Sequence, residues 1–130
     1  MHWKLIFQLS LLGLVMAIGT VFVIGPAIEP VGWIIVFVIS AMEIARRSGG
    51  RAFTHGVLTG LVNCVWVTAA HVLFVTRYLS WHPREAGMMA QMPMPDSPRL
   101  MMVMVGPAVG LISGGIIGIL AVVATKLVKK

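Results

Sequence analysis

Polar side chains in the third apolar segment are the residues of this chain best placed for chemistry. His55, Thr59 and Asn63 follow one another at four-residue intervals, and His71 lies further along the same segment. This spacing places side chains on one face of a helix, and polar residues inside membrane helices are functional candidates by default. Two roles stay open for Thr59, Asn63 and His71, which either line a polar path or form hydrogen bonds between helices.

An acidic residue, Glu43, lies near the end of the second apolar segment. Arg46 and Arg47 follow it at positions i+3 and i+4, which is the spacing of ion pairs on a helix surface. The alternative is that Glu43 is a carboxylate at the inner mouth of a transport path.

Methionine is concentrated between residues 88 and 104, which contain seven of the ten methionines of the chain. Thioethers are soft ligands that suit Cu(I), so the loop is a candidate copper site. The other interpretation is a short interfacial helix over residues 83–91 that uses methionine as an adaptable apolar residue. The candidate copper ligands are His82, Met88, Met89, Met92 and Met94.

Two rows of small residues at four-residue spacing indicate close helix packing. Small residues at this spacing let two helix backbones approach each other inside a membrane. The rows either meet each other in an antiparallel pair within one chain, or the glycine row forms the seam of a homo-oligomer. They consist of Gly56, Gly60, Cys64 and Thr68 in the third segment and of Gly106, Gly110, Gly114 and Gly118 in the last.

The composition predicts the elements that carry these residues. Of the 130 residues, 58% are hydrophobic and 11% are charged, which is typical of a small polytopic membrane protein. We expect a single all-α domain with four transmembrane helices in an up-down bundle, and a short interfacial helix between the third and the fourth. The first apolar run is about 20 residues, longer than the 7–15 of a signal peptide, so we expect it to be retained. The predicted spans cover residues 5–24, 31–45, 52–79 and 98–128.

The basic residues predict the orientation of the chain in a bacterial cytoplasmic membrane. The formal net charge is +6, but the charges cluster at the ends of the spans without a basic stripe for nucleic acid. The side with more Lys and Arg is cytoplasmic, so both termini are expected there. That side carries Lys4, Arg46, Arg47, Arg51, Lys126, Lys129 and Lys130, and the other side carries Arg77, Arg84 and Arg99.

The chain resembles an uncharacterised family of small bacterial four-helix integral membrane proteins. The resemblance covers roughly residues 45–130: the basic glycine turn, Ala52 and Phe53, Gly56, the outer loop with its acids and methionines, and the glycine-rich last span ending in lysines. It implies the four-span layout and no activity.

These patterns favour a protein that acts by helix association. The sequence has no nucleophile–base pair, no phosphate loop and no complete set of metal ligands, so we expect neither an enzyme nor a cofactor. We expect a structural or accessory subunit or a homo-oligomer, whose partners are the lipid bilayer and itself or another membrane protein. The alternatives are a small transporter or channel with a path along the third helix, and an outer-side Cu(I)-binding protein.

Overall fold

The structure, a computed structural model, describes residues 1–128 and is entirely helical in this part of the chain, without strands. Long helices alternate with short connections, and two short helices precede the last one. The six helices are α1 (Trp3–Phe22), α2 (Glu29–Arg47), α3 (Ala52–Leu73), α4 (Val75–Trp81), α5 (Pro83–Ala90) and α6 (Pro98–Val128).

Helices α3 and α6 run antiparallel, with the two rows of small residues against each other. A Cβ atom added to Gly60 would collide with the backbone of Gly114, and one added to Gly56 would collide with that of Gly118. Closer to the α4–α5 end, Gly110 lies beside Cys64, and Gly106 lies beside Thr68. Only residues without a large side chain permit this approach, so the rows set the spacing between α3 and α6.

Helices α1 and α3 run parallel and are joined by polar contacts at several levels. The backbone N–H of His2 donates to Nε2 of His55 at 3.1 Å, and the indole N–H of Trp66 donates to Oγ of Ser10 at 3.1 Å. Near the second of these contacts, the side chain of Asn63 packs over Gly13. Helix α3 therefore lies between α1 and α6.

Two apolar clusters lie towards the two ends of the bundle. The cluster at the terminal end, which holds the start of α1, the end of α6 at Val128 and the α2–α3 turn, contains Leu5, Ile44 and Ile117 from α1, α2 and α6. The cluster at the loop end, where α4 and α5 lie, contains Tyr78 and Met102. Helix α2 packs mainly on α6, which leaves a gap between α2 and α3.

The third predicted span is not continuous in the structure, since α3 ends at Leu73 and α4 begins at Val75. Phe74 between them has φ −113° and ψ 36°, outside the helical region. No Gly or Pro breaks the helix here, so a tertiary contact accounts for the change, namely the edge-to-face packing of Phe74 on Phe22 at 5.0 Å. The break turns Tyr78 into the loop-end cluster.

Three of the helices, α1, α3 and α6, are long and apolar enough to cross a membrane. Their outer faces carry large apolar side chains; on α1 these form an exposed stripe. Soluble monomers rarely expose such continuous apolar surface, so the structure is consistent with a multi-pass membrane protein. The stripe on α1 consists of Trp3, Phe7, Leu11, Val15, Ile18 and Phe22.

Replacing Gly114 by Ala should destabilise the bundle, whereas the same change at Gly115 should not. An added Cβ at Gly114 lies 2.6 Å from the carbonyl oxygen of Val57, while one at Gly115 meets nothing within 4 Å. We expect Gly114→Ala to lower the unfolding free energy by about 1–3 kcal/mol because of overpacking. Reversible unfolding in mixed detergent micelles measures both variants, and equal effects would show that α3 and α6 do not depend on this contact.

Candidate functional site

A cavity of about 480 Å³ lies between α2, α3 and α6, and α4, α5 and the methionine-rich segment surround its loop end. It exists because the glycine rows hold α3 on α6 while α2 stays apart from α3. Its floor lies near Asn63 and Ser113, halfway along the bundle, and its wall is mostly apolar. The volume falls within the range of small-molecule sites in proteins, about 300–1,000 Å³.

The apolar wall combines aromatic rings with flexible thioethers. Trp33 and Phe37 of α2 contribute rings whose centroids are 6.2 Å apart, and Tyr78 contributes a third ring. Methionine fills irregular contacts and adapts to different shapes. The methionines that line the cavity are Met88, Met89, Met92, Met101 and Met102.

A hydrogen-bonded pair, buried His82 and partly buried Glu29, joins α2 to the α4–α5 connection at the loop end. Nδ1 of His82 lies 2.9 Å from the carbonyl oxygen of Tyr78, and Nε2 lies 2.9 Å from Oε2 of Glu29. A carbonyl only accepts, so Nδ1 carries a proton. His82 therefore uses both ring nitrogens, one towards the backbone of α4 and the other towards the carboxyl group of Glu29.

Further contacts fix this pair in place. The indole N–H of Trp33 donates to Oε1 of Glu29 at 3.2 Å. The Tyr78 ring stacks on His82 at 4.2 Å between centroids and on His71 at 3.8 Å. Thr20 donates to the carbonyl of Ala17; its oxygen therefore accepts from Nε2 of His71 at 3.2 Å. The aromatic stack thus links α1, α3 and α4 beside the cavity.

The phenol of Tyr78, which lies beyond the candidate membrane spans, stays protonated. Burial raises the pKa of Tyr78 far above its ordinary value, and the negative charges of Glu29 and Glu85 contribute to the rise. Tyr78 therefore contributes a neutral phenol to the cavity wall, and both acids of the cavity act on the pKa of this phenol.

Glu85 of α5 is the second acid on the cavity wall. Its Oε2 atom is buried and has no hydrogen-bond partner among residues 1–128. A buried carboxylate oxygen without a donor is unfavourable, so this atom can still receive a hydrogen bond or a positive charge.

The structure brings together only part of the predicted polar path. Asn63 and His71 line the cavity, but the amide of Asn63 packs against Gly13 and makes no hydrogen bond within the described residues. Thr59 is buried, also without a partner for its hydroxyl, and does not line the cavity. Glu43 lies outside it, at the terminal end.

The contacts of Glu43 are those of an ion pair on the helix surface. Its carboxylate oxygens lie 3.0 Å from Arg46 and 3.8 Å from Arg47, and all three side chains are partly exposed.

Only some of the predicted copper ligands line the cavity. Met88, Met89 and Met92 line the cavity, whereas Met94 does not, and His82 uses both ring nitrogens in hydrogen bonds. Over residues 1–128, no three or more His, Cys, Asp or Glu side chains form a metal-binding group. The thioethers of Met88, Met89 and Met92 are part of the cavity wall.

Sequence reasoning did not single out Glu29, Trp33, Tyr78 or Glu85. The i, i+4 spacing of Glu29 and Trp33 was a local signal for one contact. The pairing of Glu29 with His82, 53 residues away, had no such signal.

Comparison of the chain with known families, curated proteins and solved structures finds no match. The family resemblance of residues 45–130 therefore remains an expectation, and the geometry of the cavity is the basis for a functional proposal.

Replacing Glu29 by Gln should destabilise the protein more than the same change at Glu43 on the same helix. Loss of the Glu29 charge leaves buried His82 without its carboxylate, at an expected cost of about 1–3 kcal/mol. The exposed ion pairs of Glu43 contribute less than about 1 kcal/mol. Unfolding of both variants in mixed micelles provides the comparison. Similar losses would show that the Glu29–His82 pair does not hold the loop end together.

Proposed function

We propose that the chain is a four-span membrane protein in which α2 joins α1, α3 and α6 as a transmembrane helix, in an up-down arrangement. Supporting this, α2 exposes large aliphatic side chains along its length. Its charged residues lie towards its ends: Glu29 is paired with His82, and Glu43 with the two arginines. The exposed aliphatic residues are Val31, Ile34, Ile35, Val38 and Ile39.

The excess of Lys and Arg at the terminal end supports a cytoplasmic location for both termini. In that orientation the cavity lies in the outer half of the bundle, and the loop-end helices α4 and α5 lie on the outer side of the bacterial cytoplasmic membrane.

Within this topology, we propose that the protein binds a small, mainly apolar molecule in the cavity between α2, α3 and α6. The observation that carries the proposal is the cavity itself, with its aromatic and methionine wall and few polar groups. Such a wall is typical of small-molecule sites.

The position of the two rows of small residues bears on the hypothesis that the protein acts by helix association. Both rows lie in the α3–α6 contact inside one chain, so they offer no support for a homo-oligomer seam. An accessory role in the membrane is compatible with the binding proposal, because a bound molecule can be presented to a partner protein.

Transport is the second candidate function, and one observation favours it. The cavity extends to the loop end, while the cluster of Leu5, Ile44 and Ile117 fills the terminal end. A bundle closed at one end and hollow towards the other corresponds to one state of a carrier.

Photolabelling with 3-azioctanol, a small photoreactive alcohol, tests the binding proposal. We expect saturable adducts on α5 and on the cavity-facing residues of α6, located by peptide mass spectrometry. Val67 lines the cavity, whereas Val65 is exposed on the outer surface of the same helix. Val67→Phe fills the cavity and should reduce this labelling at least about fivefold, roughly 1 kcal/mol in binding.

Val65→Phe is the matched control and should leave the labelling unchanged. Labelling that does not saturate, or that is equal in the two variants, would overturn the proposal of a binding cavity.

A further inference from the structure

The charges around the cavity are unequally distributed. Two acids, Glu29 and Glu85, line it, and no Lys or Arg does so within the described part of the chain. This asymmetry matters more in an apolar, low-dielectric wall than at a water-exposed surface.

The loop end carries three arginines, Arg77, Arg84 and Arg99, and none of them lines the cavity. The guanidinium of Arg77 lies over the rings of Phe22 and Trp81, at 5.9 and 5.3 Å from their centroids. Nε of Arg99 donates to the carbonyl oxygen of Val72 at 3.0 Å. Arg84 precedes Glu85 on α5 and forms no ion pair with it among the described residues.

The two acids of the cavity differ in their partners. Both carboxylate oxygens of Glu29 are engaged, Oε1 by the indole N–H of Trp33 and Oε2 by the imidazole of His82. Glu85 has a buried oxygen, Oε2, without a hydrogen-bond partner within the described residues. Glu85 is therefore the acid that remains available to a ligand.

The aromatic wall also favours a positive charge on the ligand. The faces of Trp, Tyr and Phe rings are negative and attract organic cations, most strongly where water is excluded. Trp33, Phe37 and Tyr78 all line the cavity with Glu85, and methionine thioethers add polarisable contacts that accept bulky alkyl groups.

We infer that the cavity selects lipophilic organic cations, with Glu85 as the charge partner and the aromatic and methionine wall around the apolar body. This inference rests on the proposed function, since it names the class of molecule that the proposed cavity takes. Glu85 contacts the cationic group, and the Glu29–His82 pair holds α2 and the loop-end helices in position around it.

Three probes of nearly the same shape test the sign of the charge. Benzyltrimethylammonium is a cation, neopentylbenzene replaces its nitrogen by carbon and is uncharged, and phenylmethanesulfonate is an anion. Each competes with 3-azioctanol for labelling of the cavity in the full-length protein. We expect the cation to compete best and the anion to compete least.

Glu85→Gln separates charge recognition from cavity shape. In this variant the concentration of cation needed for half-competition should rise about tenfold, while that of neopentylbenzene should stay the same. Because Oε2 of Glu85 lacks a partner, the variant should unfold at the same temperature as the unmodified protein or a higher one. Glu43→Gln, which removes an acid outside the cavity, should change neither competition nor selectivity.

The outcomes distinguish the two proposals. Saturable 3-azioctanol labelling with equal competition by cation and neutral probe, or an unchanged half-competition concentration in Glu85→Gln, overturns the cation inference and leaves the binding cavity in place. Absence of saturable labelling overturns both. Loss of thermal stability in Glu85→Gln with weaker competition by all three probes would mean that Glu85 is structural, which also overturns the inference.

Discussion

The close backbone contact between α3 and α6 is the constraint on which the rest of the structure depends. Helices in lipid gain little from the hydrophobic effect when they associate, so packing and polar contacts must hold them together. At Gly56, Gly60, Gly114 and Gly118 the contact is between backbones, with no room for a Cβ. Once α3 is fixed on α6 along this line, its other faces are available for α1 and for the cavity.

The cavity follows from this asymmetric packing. Helix α1 contacts α3 through hydrogen bonds and through Asn63 over Gly13, whereas α2 packs mainly on α6. The apolar cluster at the terminal end fills the space between the helices there. Towards the loop end, the space between α2 and α3 stays open, and side chains of α5 and the methionine-rich segment form its boundary. Three of the methionines predicted as soft-metal ligands, Met88, Met89 and Met92, line this space.

Several elements were predictable from the sequence because their signals are local. The last helix has the predicted bounds, residues 98–128, and α5, the helix predicted over residues 83–91, ends at Ala90, one residue before the predicted end. Apolar length and Pro83 and Pro98 at the helix starts were sufficient for this. The end of α3 at Leu73 was not predictable, since neither Gly nor Pro marks it and the contact of Phe74 with Phe22 spans 52 residues of sequence.

The sequence by itself determined where the long helices lie, apart from the break at Phe74, and which faces are small enough for close packing, because helix length, apolar periodicity and four-residue spacing are properties of short segments. Only the tertiary structure decided which groups meet. It placed Glu29 beside His82, Tyr78 between two histidines, and Glu85 on the cavity wall without a partner. These contacts join residues of different helices, and their geometry depends on how the helices cross.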